Sequence, residues 1–276
     1  CKRKGETCGA HAVATRGYER FTTARGDAAA ENFTAENMLD HLQRHAFYGV
    51  GTVGDGGSAD LDVALGYLKN QDSGKFSNAA RFSVTAGVVP PRGGPDGILI
   101  KGTRPLQANY EVVRSPEARK AVEAIAARGV RHLKVWIGDR GGSYPPMPRE
   151  IYEAVIDEAH KHAIRVHAHV GSPRDQKDVL RAGAEVIVHT RTDEYDDELL
   201  ALVREKRPYW TPVMGLGDRS RVCDNDPFFT QVLSPSLVAE IQAMHCKTDP
   251  AAAAARETGL KRNFQKMIAA GARLVL

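Results

Sequence analysis

The sequence predicts an α/β chain whose strands close into a parallel (β/α)8, TIM-type barrel, and three observations predict it. Short apolar, β-branched runs recur at 50–53, 82–89, 132–137, 164–170, 185–189, 209–214 and 272–276, the pattern of strands buried on both faces. Segments of helical period lie between several of them. Three helices end in a similar phrase before the next strand, Ala127-Arg128-Gly129-Val130, Arg181-Ala182-Gly183-Ala184 and Ala270-Gly271-Ala272-Arg273, where glycine turns the chain into the strand through a left-handed backbone.

The elements follow in order. A first strand candidate at 10–14 brings the number to the eight that a closed barrel needs. Thr34 offers an N-cap to a helix at 36–48, with Met38, Leu39, Leu42 and Phe47 near one face. The helix at 116–128 is rich in Ala, and the one at 148–162 spaces Ile151, Val155, Ile156 and Ala159 helically. Gly54-Asp55-Gly56-Gly57 is a turn after a strand and Gly93-Gly94-Pro95-Asp96-Gly97 lies in a long loop. Neither opens a helix, so an open doubly wound sheet, the alternative, lacks its dinucleotide fingerprint. The segment at about 215–258, punctuated by Asp226-Pro227 and Ser234-Pro235, reads as a loop-rich insertion over one mouth of a single domain spanning 1–276. The barrel is incomplete in pattern at strands 1 and 8.

With 42% hydrophobic and 26% charged residues in 276, the composition is globular, and a chain of this length buries roughly 75% of its unfolded surface. A net charge of +4, with no basic stripe interleaved with aromatics, excludes nucleic acid as the expected partner. No run approaches the roughly 20 apolar residues of a membrane span, so no membrane partner is expected. Cys1-Lys2-Arg3-Lys4-Gly5 has no signal-peptide apolar stretch, although a start at Cys leaves a removed leader open. Cys1, Cys8, Cys223 and Cys246 read as free thiols, with Cys1–Cys8 and Cys223–Cys246 bridges as the alternative. Reduced cysteines favour a cytoplasmic location.

Three residues stand at or near the C-terminal ends of consecutive strand candidates, where barrel active sites lie: Lys134, His169 and His189. A lone His in an apolar run is ordinarily a hydrogen-bonded core residue. Two on successive strands, after a strand with a buried Lys, point instead to a divalent metal, because imidazole suits zinc and an unpaired buried ammonium is expensive. Trp136 and Trp210 read as core. His132, His160 and His162 read as structural, and Asp139 and Asp193 as solvated loop residues.

From residue 31 to 276 the chain resembles the metal-dependent amidohydrolase superfamily, in its imidazolonepropionase-like and prolidase-like branch. The resemblance is carried by Glu31-Asn32-Phe33-Thr34-Ala35-Glu36-Asn37, Tyr48-Gly49-Val50-Gly51-Thr52-Val53, Leu133-Lys134-Val135-Trp136, Gly142-Ser143-Tyr144-Pro145, Ile156-Asp157-Glu158-Ala159-His160-Lys161-His162, His189-Thr190 and Ala270-Gly271-Ala272-Arg273-Leu274-Val275-Leu276. It implies a barrel hydrolase with one or two divalent ions, usually zinc. Ligands would come from a first-strand His-x-His containing His11, a carboxylated Lys134, a fifth-strand His and His189. His167 and His169 compete for the fifth-strand position; His169, 13 residues before Ala182, matches the family's spacing. His167 is left to packing or, with Tyr144, to substrate contact. Two positions depart from the pattern. Val13 stands where the second His of the pair would fall, and the Asp expected shortly after Leu274-Val275-Leu276 lies past the last residue, so one ion's ligands are matched better than two.

The implied activity is hydrolysis of an amide or other C–N bond, in a dipeptide or cyclic amide, by metal-activated water. A lactonase or esterase on the same site and a catalytically inactive, truncated barrel are the alternatives. The partner is a small-molecule substrate, and a homo-oligomer is left open.

Overall fold

Alternation along the strands sets the architecture. In the computed structural model, which describes residues 28–29, 34–47, 49–57, 60–91, 93, 100–101, 109–139, 142, 144–213, 223–227, 235–245 and 249–275, strands and helices alternate along most of the chain. In chain order they are β1 (Ala28–Ala29), α1 (Ala35–Phe47), β2 (Thr52–Gly54), α2 (Leu61–Asp72), β3 (Arg81–Ser83), β4 (Thr85–Val89), β5 (Ile100–Lys101) and β6 (Asn109–Glu111). Then come α3 (Ser115–Ala127), β7 (His132–Trp136), α4 (Arg149–Lys161), β8 (Arg165–His169), α5 (Pro173–Ala182), β9 (Val186–Val188), α6 (Asp197–Lys206), β10 (Tyr209–Thr211), α7 (Pro235–His245), α8 (Pro250–Ala269) and β11 (Arg273–Leu274).

One seven-stranded parallel sheet runs β11-β10-β9-β8-β7-β4-β6. Val84 alone separates β3 from β4, so 81–89 changes neighbours along its length, pairing β2 first and then β6 and β7. β1 pairs with β5 in a separate ladder. The seven apolar runs at 50–53 through 272–276 each hold a strand, and every pairing is parallel. The candidate at 10–14, and with it barrel closure, lies outside the described residues.

The core lies between the sheet and its helices. Leu133, Val135, Val166, Ala168, Ile187 and Trp210 pack against Val122, Ile125, Val155, Ala159, Leu180 and Val203 of α3 to α6. The alternate residues, His132, Lys134 and Trp136 on β7 and Arg165, His167 and His169 on β8, fall on the opposite face, because strand side chains alternate with a period of two. Gly129, Gly183 and Gly271 have φ of 77°, 104° and 88°, the left-handed turn that their repeated phrase predicts.

The helix caps follow the sequence chemistry. Thr34 Oγ1 accepts the Asn37 N–H at 3.2 Å, and Ser172, Asp196 and Asp249 cap α5, α6 and α8 in the same way. On α1, Met38 and Leu42 are buried as expected, but Phe47 is 73% exposed and His41 and His45 are buried on the inner face instead. Phe47 is the final helical residue, where the apolar stripe has run past the surface it covers. The stretch 215–258 contains α7 and the start of α8. Cys223, the one cysteine among the described residues, is disulfide-bonded, which corrects the free-thiol reading there. Spacing alone could not reveal that pairing, and the cytoplasmic expectation loses the reduced thiols behind it. No helix among the described residues is long and apolar enough to cross a membrane.

Candidate functional site

Register builds the site. Lys134 on β7 aligns with His167 on β8 and Val186 on β9, and Trp136, His169 and Val188 align one layer nearer the strands' C-terminal ends. His189 follows β9 directly. Its N–H donates to the Thr211 carbonyl at 2.9 Å and the Thr190 N–H to that of Pro212 at 3.0 Å, extending the β9–β10 ladder beyond the strand.

His169 and His189 are brought together. The His189 Nε2 and His169 Nδ1 atoms lie 3.0 Å apart, with ring centroids at 4.6 Å and planes at 81°. Metal–imidazole bonds of about 2.0–2.1 Å in a tetrahedron put two ligand nitrogens about 3.3 Å apart. The pair therefore offers two imidazole donors near the edge length of a zinc polyhedron, and its chemistry fits a divalent ion. Among the described residues, no group of three or more His, Cys, Asp or Glu side chains gathers at one point, so a third protein ligand is sought in Lys134, or in His11, which lies outside them.

Lys134 is 1% exposed and its Nζ sits 4.9 Å from the centre of the Trp136 ring. Gly57, at φ 85°, presses on its stem: a Cβ there would stand 2.7 Å from Lys134 Cβ and 2.9 Å from Trp136 Cη2. Only a glycine admits both that backbone angle and that approach.

His167 goes elsewhere. Its Nε2 lies 3.1 Å from His132 Nδ1, and burial, reinforced by the neighbouring His132, Lys134 and Arg165, pushes its pKa down to about 3. His132 is lowered too, by burial first and then by Arg165. These rings are thus neutral hydrogen-bonding partners. Tyr144, in the loop after β7, is buried, and its hydroxyl has no hydrogen-bond partner among the described residues. A buried hydroxyl in that state suits a group that a ligand completes.

Two features escaped the sequence reading. Asp55, buried at the end of β2, accepts the Gly57 N–H at 2.9 Å and so shapes the turn against Lys134. A carboxylate just past a barrel strand was the available signal, masked by the turn glycines around it. Gln176 and Asn263, both fully buried, meet the segment after β9. Their partners are distant in sequence, so no local pattern announces them. His132, read as structural, is the hydrogen-bonding partner of His167.

No protein-family model and no curated protein matches the chain. Solved structures do. A prolidase complexed with N-methylphosphonate-L-proline aligns at 19% identity and TM-score 0.59, over 87% of this chain and 57% of its own. The A. niger ochratoxinase aligns at 16% and 0.61, over 87% and 56%, and phenylurea hydrolase B at 18% and 0.60, over 90% and 55%. The chain thus spans a little over half the length of these structures. It carries the α/β fold of the amidohydrolase structures it matches, the superfamily that its motifs resemble.

Proposed function

We propose that the chain is a hydrolase of the amidohydrolase type, cleaving an amide or other C–N bond of a small molecule such as a dipeptide or cyclic amide, with a divalent ion, zinc in the first instance, at Lys134, His169 and His189. The observation that carries this reading is the position of the His169–His189 pair at the C-terminal ends of adjacent parallel strands, with a buried lysine on the same face.

Bound there, a divalent ion supplies acidified water near neutral pH and polarisation of the carbonyl under attack. The chain's own residues do the rest. His169 and His189 would hold the ion as neutral imidazoles from their close pair. Lys134 cannot ligate as an ammonium; as the carbamate that the family resemblance implies, it offers two anionic oxygens. Trp136 covers the amine from one side and keeps water from it. Tyr144, its hydroxyl buried and without a partner among the described residues, would present a hydrogen bond to substrate.

Elemental analysis of the purified protein tests the reading, beside turnover of an amide, lactone and ester panel. Near-stoichiometric metal that disappears in His169→Ala, with amide turnover, is expected. Absence of bound metal from the wild type, or metal indifferent to His169→Ala, removes it.

A further inference from the structure

His189 adopts φ 78°, a left-handed backbone that side-chain-bearing residues occupy rarely. Such a conformation is strained and persists only where the surroundings enforce it. Two helices supply the enforcement. From α5, Gln176 donates through Nε2 to the Tyr195 hydroxyl at 2.9 Å and reaches the His189 carbonyl at 3.4 Å, and the same hydroxyl accepts the Arg191 N–H at 2.9 Å. From α8, Asn263 donates through Nδ2 to the carbonyls of Arg191 at 2.8 Å and Asp193 at 2.5 Å. Arg262 takes the Thr192 carbonyl and Lys266 that of Tyr195, each at 3.0 Å. Gly259 lets α8 come close enough that a Cβ there would stand 2.9 Å from the Thr192 oxygen.

Stability alone does not call for this arrangement. Gln176 is 0% exposed and its Oε1 has no hydrogen-bond partner among the described residues, an acceptor that an apolar side chain would not bury. What an apolar residue cannot provide is the donor that reaches the Tyr195 hydroxyl and the His189 carbonyl together.

We infer that Gln176 and Asn263 are positioning residues for His189: two fully buried amides, entering from α5 and α8, fix the 189–195 segment and hold the His189 ring against that of His169. The consequence for metal affinity rests on the reading of His189 as a ligand; the placement of the ring does not. Side-chain partners one step removed from a ligand typically change metal affinity by about 10–100-fold.

The test follows the imidazole resonances of His189 by NMR in the metal-free full chain, and cobalt(II) affinity with its visible absorption bands. The variants are Gln176→Leu, Gln176→Met and Asn263→Ser, with Lys177→Ala as the control on α5. Lys177 makes ion pairs with Asp196 and Glu198, beyond the 189–195 segment.

 The control therefore disturbs the helix surface without touching the amide clamp.

The expected result is a shifted or broadened His189 ring signal and cobalt(II) binding weakened by about tenfold or more in the Gln176 and Asn263 variants, with changed absorption bands. Tm should change little in Gln176→Leu, and the control should leave the ring signal where it is. An unmoved His189 signal in the folded variants overturns the inference, whatever their Tm. A wild type that takes up no cobalt(II) removes the metal reading above and leaves the ring signals to decide this one. Gln176→Met serves where Gln176→Leu does not fold.

Discussion

Two imidazole pairs occupy one face of the sheet and differ in everything except their own geometry. His169 and His189 approach at 3.0 Å and His132 and His167 at 3.1 Å, each with ring planes at 81°. The lower pair lies toward the N-terminal ends of β7 and β8, where the positive charge of Arg165 bears on both rings and burial holds them neutral. A further cation there would add to charge that is already positive. The upper pair lies at the C-terminal strand ends, beside Trp136, with one ring on a strained backbone braced from two helices. Nitrogen–nitrogen distance therefore does not distinguish a ligand pair from a structural one. Strand end, neighbouring charge and the bracing of the backbone do.

The largest expected effect breaks the comparison at its upper member. His169→Ala or His189→Ala should lower metal affinity by more than about 100-fold, beyond the range of residues that only support a ligand, whereas His132→Ala should retain metal by elemental analysis. Equal losses at both pairs would erase the distinction. Next in size, His132→Leu alone should destabilise by about 1–3 kcal/mol in chemical denaturation, since it leaves the His167 ring buried without its partner. Replacing both rings by Leu should cost less than the sum of the single changes, because no polar atom is then stranded.

Acid sharpens the contrast further. The folded pKa of His167, about 3, lies below the ordinary 6.5. The unfolded chain thus takes up this proton first, and the group's share of stability is complete above pH 6.5 and drains away as pH falls toward 3. Unfolding measured across that window should show a shallower decline in His167→Leu than in the wild type. The smallest effect belongs to Arg165→Gln: without that guanidinium the imidazolium of His167 is less disfavoured, and its pKa, followed by NMR titration, should rise modestly because burial, the larger cause, remains.

Much of the fold was legible because strand burial leaves its mark in composition. All seven apolar runs became parallel strands, and the three Ala–Gly phrases became left-handed helix ends. The two-residue strands β1 and β5 and the three-residue β6 were not read, since they fall outside the apolar runs that hold the equally short β2, β9, β10 and β11. At the site, strand ends alone singled out Lys134, His169 and His189, but register decided the company they keep. Lys134 aligns with His167, not with His169, and no count along one segment exposes that alignment. The supports were least visible of all: Asn263 reaches Arg191 across 72 positions, through an amide that looks like any polar residue in a helix. His11 lies outside the described residues, so the first-strand expectation stands as the sequence states it.

The missing side chains at Gly57 and Gly87 have a consequence at a distance. A methyl at residue 87 would overlap Asn109 Oδ1 and stand 2.7 Å from the Gly57 carbonyl, and Gly57 is in turn bare enough to lean on the lysine stem. The two vacancies act in series, like shims under a hinge. Gly87 is also the cross-strand partner of Lys134, so Gly87→Ala should displace the Asn109 side chain and the turn that leans on the lysine stem, and lower Tm in thermal denaturation.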